Sequence, residues 1–177
     1  MQVYARVYVQ GYIMNSDGDV FKLAIEVGEH LSKTARQLVT AESCTGGWVG
    51  KALTDIPGSS SWYLGGVVAY SNVLKHNLLN VADETLAIHG AVSDAVVREM
   101  AIGALEQLGG QLSVAISGIA GPDGAQPGKP VGTVWIAWAW RHGQAVHVNA
   151  RLKIFSGDRE DVRRRSVAAA LHGILEL

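Results

Sequence analysis

Short apolar runs alternate with amphipathic helical segments along most of this chain, and that alternation most limits its possible fold. Residues 38–41, 65–70 and 112–116 are apolar runs of the length expected for buried strands. Helical patterns precede and separate them, the first with apolar positions at Val20, Leu23, Val27 and Leu31. Because strands joined through helices form parallel sheets covered by those helices, the pattern predicts a layered α/β domain.

The C-terminal part of the sequence adds antiparallel strands to this plan. Residues 131–140 and 145–155 flank a polar segment with a glycine, a pattern typical of a hairpin, and a last helix is predicted over residues 158–175. The fold class is therefore α/β, with a mixed, mostly parallel sheet of about five strands. Residues 16–177 are predicted to form one domain, and residues 1–15 a flexible N-terminal extension.

Composition excludes several classes of function. With 48% hydrophobic residues, 18% charged residues and a net charge of -1, the chain resembles neither a disordered protein nor a basic nucleic-acid-binding protein. Cys44 is the single cysteine, so an internal disulfide is excluded, and no metal-ligand spacing occurs among the histidines. No apolar run reaches the roughly 18 residues of a membrane span. We expect a cytoplasmic protein without a membrane or nucleic-acid partner.

The segment TAESCTGG, residues 40–47, lies where the first strand ends and a helix begins. At this position, free backbone N–H groups and the helix dipole can bind an anion or stabilise an oxyanion. Ser43 and Cys44 are both candidate nucleophiles there, and the glycines would allow a ligand close to the main chain. On these residues alone, a serine-capped helix start with a buried cysteine is an equally valid interpretation.

The segment AYSNVLK, residues 69–75, supplies a possible base that is not a histidine. Tyr70 ends the second predicted strand and Lys75 follows one helical turn later, so both can reach the carboxyl end of the sheet. A desolvated lysine can be neutral and accept a proton, with the tyrosine assisting. A strand-end tyrosine and a surface lysine are the alternative.

Two further loops carry groups that could bind a phosphate. The glycine-rich segment over residues 117–132 contains Ser117, Gly118, Gly121 and Lys129. The segment FSGDRED places Arg159 at the start of the last helix, where an anion would be stabilised. A plain connection and a simple aspartate N-cap are the respective alternatives.

Six blocks in order resemble the CinA C-terminal domain family: TAESCTGG, GSSSWYLGGVVAYSNVLK, GAVSDAVVREMAIGAL, SGIAGPDG, KPVGTVWIA and FSGDRED. The resemblance extends over residues 17–176. It implies a three-layer α/β/α sandwich with a mixed sheet. It also implies hydrolysis of the carboxamide of nicotinamide mononucleotide to nicotinic acid mononucleotide and ammonia, without a cofactor or a metal.

Carried onto this sequence, the resemblance implies that Ser43 is the nucleophile and that Lys75 and Tyr70 act as its base. Backbone groups of Thr45, Gly46 and Gly47 would stabilise the oxyanion. The residues predicted to bind the nucleotide substrate are Glu42, Ser117, Gly118, Gly121, Lys129 and Arg159. A homo-oligomer, a dimer or larger, is expected. Two other functions stay open: hydrolysis of a different phosphorylated amide, and nucleotide binding by a non-catalytic accessory protein of the competence or damage-inducible type.

Overall fold

A five-stranded mixed sheet forms the centre of the computed structural model, which describes residues 16–177. In chain order the strands are β1 Leu38–Glu42, β2 Tyr63–Val68, β3 Leu112–Gly118, β4 Thr133–His142 and β5 Ala145–Ile154. Their order across the sheet is β2-β1-β3-β4-β5, with β1 parallel to β2 and β3, and β4 antiparallel to β3 and β5. The predicted mixed sheet and hairpin are confirmed, whereas the predicted extension at residues 1–15 lies outside the described residues.

Between residues 16 and 177, six α-helices cover the two faces of the sheet. They are α1 Asp17–Thr34, α2 Trp48–Thr54, α3 Asn72–Leu79, α4 Asp83–His89, α5 Asp94–Leu108 and α6 Arg159–Leu175. Helices α1, α2 and α6 pack together on one face, and α3, α4 and α5 on the other. The three-layer α/β/α arrangement is thus confirmed. Within residues 16–177, no helix combines the length and apolar character needed to cross a membrane.

Strand β1 lies between two parallel neighbours and is buried along its whole length. Leu38 packs into the core beneath α1, α2 and α6, while Val39 and Ala41 pack beneath α5 on the opposite face. A strand buried on both faces needs apolar or small side chains in both directions. Leu38, Val39 and Ala41 meet this requirement, whereas the polar side chains of Thr40 and Glu42 are buried with hydrogen-bond partners.

The connections that leave β1 and β2 diverge to opposite faces of the sheet. Strand β1 continues into α2 on one face, and its neighbour β2 continues into α3 on the other. Neighbouring parallel strands whose connections diverge leave a crevice outside their carboxyl ends, the usual ligand position in α/β sheets. The segments that follow β1 and β2 contain Ser43 and Lys75, respectively.

Several element boundaries differ from those predicted; β4, for example, spans Thr133–His142 instead of residues 131–140. Two of the differences lie next to the candidate site. Helix α2 begins at Trp48 rather than near Thr45, because Gly46 and Gly47 adopt positive φ angles of 63° and 93°, which interrupt the helical backbone. Strand β2 spans Tyr63–Val68 instead of residues 65–70. The chain after β2 is therefore an extended connection, whose carbonyl groups are available to side chains.

Gly103 sets the distance between α5 and α3. A Cβ atom on this residue would lie 1.8 Å from the backbone oxygen of Leu79, at the end of α3. We expect Gly103→Ala to lower the free energy of unfolding by about 1–3 kcal/mol, an overpacking penalty that outweighs the helix propensity of alanine. Urea denaturation would measure the change. Gly18→Ala in α1, where the new atom meets only ordinary contacts, is the control and should not destabilise the fold; an equal loss in both variants would contradict the packing argument.

Candidate active site

Ser43 is the first residue after β1 and is held by the neighbouring strand. Its backbone N–H donates to the carbonyl oxygen of Ile116 in β3 at 3.0 Å, which continues the ladder one residue beyond β1. The next turn closes when the N–H of Gly46 donates to the carbonyl of Ser43 at 3.0 Å. Ser43 is 7% exposed. The backbone therefore fixes this hydroxyl at the carboxyl edge of the sheet.

Glu42 shapes the loop that contains Ser43. This residue is 2% exposed, and its carboxylate accepts hydrogen bonds from the α2 amides of Val49 at 3.0 Å and Gly50 at 2.8 Å. It also accepts from Thr45 Oγ1 at 2.7 Å and from the Gly47 amide at 3.0 Å. A carboxylate from β1 thus caps α2 in place of a side chain at the usual N-cap position. Glu42 is not among the residues that line the cleft described below, and its role in substrate binding stays a prediction.

Two of the predicted oxyanion donors already have acceptors. The Gly46 amide donates to the carbonyl of Ser43, and the Gly47 amide donates to the carboxylate of Glu42. These contacts tie both glycines to the loop itself. The amide of Thr45, from the predicted group, and that of its neighbour Cys44 directly follow Ser43 and are the remaining candidates.

The amine of Lys75 lies against Ser43. Lys75 belongs to α3 but is only 1% exposed, and its side chain folds back toward the start of that helix. Nζ lies 3.2 Å from Ser43 Oγ, 3.1 Å from the carbonyl oxygen of Ala69 and 3.2 Å from that of Tyr70. A neutral amine has two N–H donors and one lone pair. When the two carbonyls accept those donors, the lone pair faces the Ser43 hydroxyl.

Burial acts in opposite directions on the two titratable groups beside Ser43. It lowers the pKa of Lys75, because the charged ammonium is desolvated, and Lys75 forms no ion pair with any carboxylate among residues 16–177. Burial raises the pKa of Cys44 to about 12, so this thiol stays protonated near neutral pH. Since the thiolate is the reactive form of cysteine, the environment favours Ser43 over Cys44 as nucleophile.

A cleft of about 220 Å³ opens over these groups. It brings together residues from five separate segments of the sequence. Those predicted from the sequence are Ser43, Tyr70, Lys75, Ser117, Gly118 and Arg159. The others are Cys44, Asn72, Ala91, Val92 and Ala120. The cleft thus contains the proposed nucleophile and base together with a guanidinium group.

Tyr70 and Arg159 meet at the edge of this cleft. Tyr70 is 60% exposed, and its hydroxyl accepts a hydrogen bond from Arg159 Nη2 at 3.3 Å. Arg159 Nη1 donates to the carbonyl oxygen of Gly121 at 2.6 Å. Tyr70 therefore contacts Lys75 through its backbone carbonyl, while its side chain is directed to Arg159.

Gly121 and Lys129, both predicted to bind the substrate, lie outside the residues that line the cleft. Gly121 instead supplies the carbonyl that holds Arg159. Lys129 Nζ donates to the carbonyl of His89 at 3.0 Å, which ties the glycine-rich loop to the end of α4. In the described part of the chain, no group of three His, Cys, Asp or Glu side chains is arranged to hold a metal ion.

Comparison with known proteins identifies the family. The sequence profile described as "CinA C-terminal domain" matches residues 20–177. The chain belongs to the CinA C-terminal domain family. A curated relative named nicotinamide-nucleotide amidohydrolase PncC from Escherichia coli K12 is 51% identical over 156 residues, which cover 88% of this chain and 93% of the relative. The protein of the same name from Pseudomonas putida is 49% identical over 155 residues, covering 88% and 94%.

Solved structures from the CinA family share the fold. The competence damage-inducible protein A of Klebsiella pneumoniae matches with a TM-score of 0.84 and 41% identity, covering 89% of this chain and 95% of the other. The competence/damage inducible protein of Agrobacterium tumefaciens matches with a TM-score of 0.84 and 38% identity, covering 90% and 95%. The three-layer architecture described above is therefore that of the family.

Several cleft residues were missed because their side chains carry no conspicuous chemistry. Ala91 and Val92 precede α5, and the Ser117 hydroxyl donates to the carbonyl of Ala91 at 2.7 Å, which joins that segment to β3. Asn72 begins α3 immediately after its cap. These residues lie within the CinA family blocks GAVSDAVVREMAIGAL and AYSNVLK, and this is the sequence signal by which they could have been identified as site residues. Apolar lining positions can be found from such blocks, but not from residue chemistry alone.

Glu42→Gln is expected to destabilise the fold. The glutamine oxygen can take the place of the carboxylate oxygen that faces three donors, but the NH₂ group then points at the Gly50 amide, another donor. The loss of one hydrogen bond to a charged group in a buried position should lower the free energy of unfolding by about 1.5–3 kcal/mol. Chemical denaturation measures this change. Glu29→Gln on the exposed face of α1 is the control, with an expected effect below about 0.5 kcal/mol; similar small effects in both variants would refute the capping role.

Proposed function

We propose that this chain hydrolyses the carboxamide of nicotinamide mononucleotide to give nicotinic acid mononucleotide and ammonia. The observation that carries the proposal is the contact of Lys75 Nζ with Ser43 Oγ at 3.2 Å, with the amine fixed by two backbone carbonyls. A serine beside a buried lysine can form an acyl-enzyme without a histidine. Close relatives over nearly the whole chain are named nicotinamide-nucleotide amidohydrolases, which supports the substrate.

The first half of the reaction forms the acyl-enzyme. Ser43 Oγ attacks the carboxamide carbon while its proton passes to the lone pair of Lys75 Nζ. The resulting ammonium then gives that proton to the amide nitrogen as the carbon–nitrogen bond breaks, and ammonia leaves. The lysine returns to its neutral form, so it can act again.

The second half of the reaction releases the acid. Lys75 takes a proton from water as the water oxygen attacks the ester carbon, and it returns this proton to Ser43 Oγ when the ester bond breaks. Both tetrahedral intermediates carry a negative oxygen, for which we propose the backbone amides of Cys44 and Thr45 as donors. Ser117, Gly118, Tyr70 and Arg159 line the space left for the rest of the substrate.

An ammonia-release assay with nicotinamide mononucleotide tests this function. Phosphate release is measured in the same reactions, and other phosphorylated amides are assayed beside it. We expect ammonia in step with nicotinic acid mononucleotide, and no phosphate. Ammonia from a different amide only would indicate another amidohydrolase. Thermal stabilisation by the mononucleotide without any product would indicate a non-catalytic binding protein.

The pH profile of the reaction should follow the ionisation of Lys75. The base is the deprotonated amine, so kcat/KM should rise about tenfold per pH unit below the pKa of Lys75 and level off above it. Because burial lowers that pKa, we expect the midpoint below 10.5, the ordinary lysine value. Steady-state rates between pH 6 and 10 measure the profile. A rate that falls with increasing pH across this range would argue against a lysine base.

A further inference from the structure

Helix α6 places two arginines one turn apart beside the active-site cleft. Arg159 and Arg163 both line a second, shallower depression of about 620 Å³, together with Trp48, Pro122, Asp158 and Glu160. Arg159 also lines the cleft over Ser43. The depression therefore adjoins the cleft at Arg159.

The acidic groups around this depression have partners other than Arg159 and Arg163. Glu160 and Asp161 pair with Arg164 at 2.7 and 3.0 Å, and Asp17 pairs with the same guanidinium at 3.0 Å. The Asp158 carboxylate caps α6 by accepting from the amides of Glu160 and Asp161, each at 2.9 Å. The cap also means that the amides at the start of α6 are occupied, so an anion here would bind to side chains.

The two arginines of the depression, in contrast, contact neutral groups. Arg159 donates to the Gly121 carbonyl and the Tyr70 hydroxyl, and Arg163 Nη2 donates to the Thr45 carbonyl at 2.9 Å. Neither forms an ion pair with a carboxylate within residues 16–177. Two guanidinium groups without an ion-pair partner in the described part of the chain thus border the same depression, which Asp158 and Glu160 also line.

The guanidinium of Arg163 is also held in place. It lies over the ring of Trp48, 5.3 Å from the ring centroid, and its contact with Thr45 anchors it to the nucleophile loop. A fixed guanidinium loses little entropy when it binds an oxyanion, and its planar donors suit phosphate oxygens. Arg163 therefore has the charge, the rigidity and the position required to bind a phosphate.

We propose that Arg163, together with Arg159, binds the phosphate monoester of the substrate in this depression, so that Arg163 determines specificity for phosphorylated over unphosphorylated amides. The proposal rests on the proposed function, because it assigns a subsite to the same substrate. It replaces the glycine-rich loop with the α6 arginines as the main phosphate contact. It also gives a role to Arg163, which in the sequence is only one of three consecutive arginines at positions 163–165.

The test compares ammonia release from nicotinamide mononucleotide and from nicotinamide riboside, which lacks the phosphate. We expect Arg163→Met to lower kcat/KM for the mononucleotide at least tenfold while changing that for the riboside less than about twofold. Arg163→Lys should retain part of the preference, because it keeps the charge. Arg165→Met is the matched control on the same helix, outside the depression, and should leave both substrates unchanged.

Two results would overturn the proposal. An equal loss on both substrates would mean that Arg163 only positions the nucleophile loop through Thr45, and an unchanged preference would exclude it from the subsite. Binding of ribose 5-phosphate, measured by calorimetry, gives a readout that does not depend on catalysis. It should weaken in Arg163→Met and not in Arg165→Met. If the parent protein releases no ammonia from either substrate, the proposed function fails, while this binding measurement still decides the phosphate subsite.

Discussion

Ser43→Ala is expected to abolish ammonia release from nicotinamide mononucleotide, with a fall in kcat on the order of 10⁴ to 10⁶, as for removal of the nucleophile in a serine hydrolase. The physical reason is that no acyl-enzyme can form when Oγ is absent, while the oxyanion donors and the substrate contacts remain. Single-turnover rates with excess enzyme would measure the residual reaction.

Substrate binding should survive this substitution. Ser43 contributes its backbone N–H to the ladder with β3, and alanine keeps that hydrogen bond. We therefore expect thermal stabilisation of the variant by the mononucleotide to match that of the parent protein. Loss of activity in a variant that neither folds nor binds the substrate would not identify the nucleophile. Thermal stabilisation is therefore measured together with activity. Turnover at the parent rate in a folded variant would contradict the assignment of Ser43 as the nucleophile.

Cys44→Ala separates the two neighbouring nucleophile candidates. The thiol is buried with its pKa raised to about 12, and it packs in the core beneath α1, α2 and α6. Its loss should lower activity less than about tenfold, through loosened packing beside the nucleophile. A collapse of activity in Cys44→Ala with retention in Ser43→Ala would transfer the nucleophile role to the thiol.

The sequence permitted the approximate position of the site to be predicted because sheet topology constrains it. Residues that follow neighbouring parallel strands meet at one edge, so the segments after β1 and β2 had to lie close to each other. The run over residues 38–41 predicted a buried strand, and the structure places this strand, β1, between β2 and β3. The capping serine before α3 then placed Lys75 one turn along that helix, within reach of the segment after β1.

The detailed contacts within the candidate site depend on tertiary structure, and no pattern in the sequence predicts them. The amides of Gly47, Val49 and Gly50 donate to the Glu42 carboxylate, and these contacts decide which amides are left for the proposed oxyanion. The end of β2 shifted by two residues because the sheet, not the glycine run, determines where pairing stops. Likewise, the arginines at positions 163–165 are consecutive in the sequence, and only the structure shows that their guanidinium groups have different partners.

Lys75→Met should nearly eliminate turnover, with a fall in kcat of about 10² to 10⁴, the usual contribution of a general base. Methionine fills similar space without an amine, so it removes the proton acceptor while preserving the packing of α3. In the proposed mechanism Ser43 and Lys75 act as one unit, so the double variant Ser43→Ala with Lys75→Met should be no slower than Ser43→Ala alone. Lys51→Met, an exposed lysine of α2, is the control and should keep full activity.

A stability measurement on the same variant tests whether the lysine pKa is lowered in the folded state. When the pKa of Lys75 is lower in the folded chain than in the unfolded chain, the unfolded chain binds more protons at every pH between these two pKa values. The contribution of Lys75 to the free energy of unfolding therefore rises with pH across that window. Lys75→Met lacks this contribution. The stability of the parent protein relative to the variant should therefore be lowest below the folded-state pKa and increase as pH approaches the unfolded value near 10.4, by about 1.4 kcal/mol per unit of lowering. A stability difference that is independent of pH between 6 and 10.5 would show that the amine is not desolvated, and the neutral base that the reaction requires would then have no physical origin.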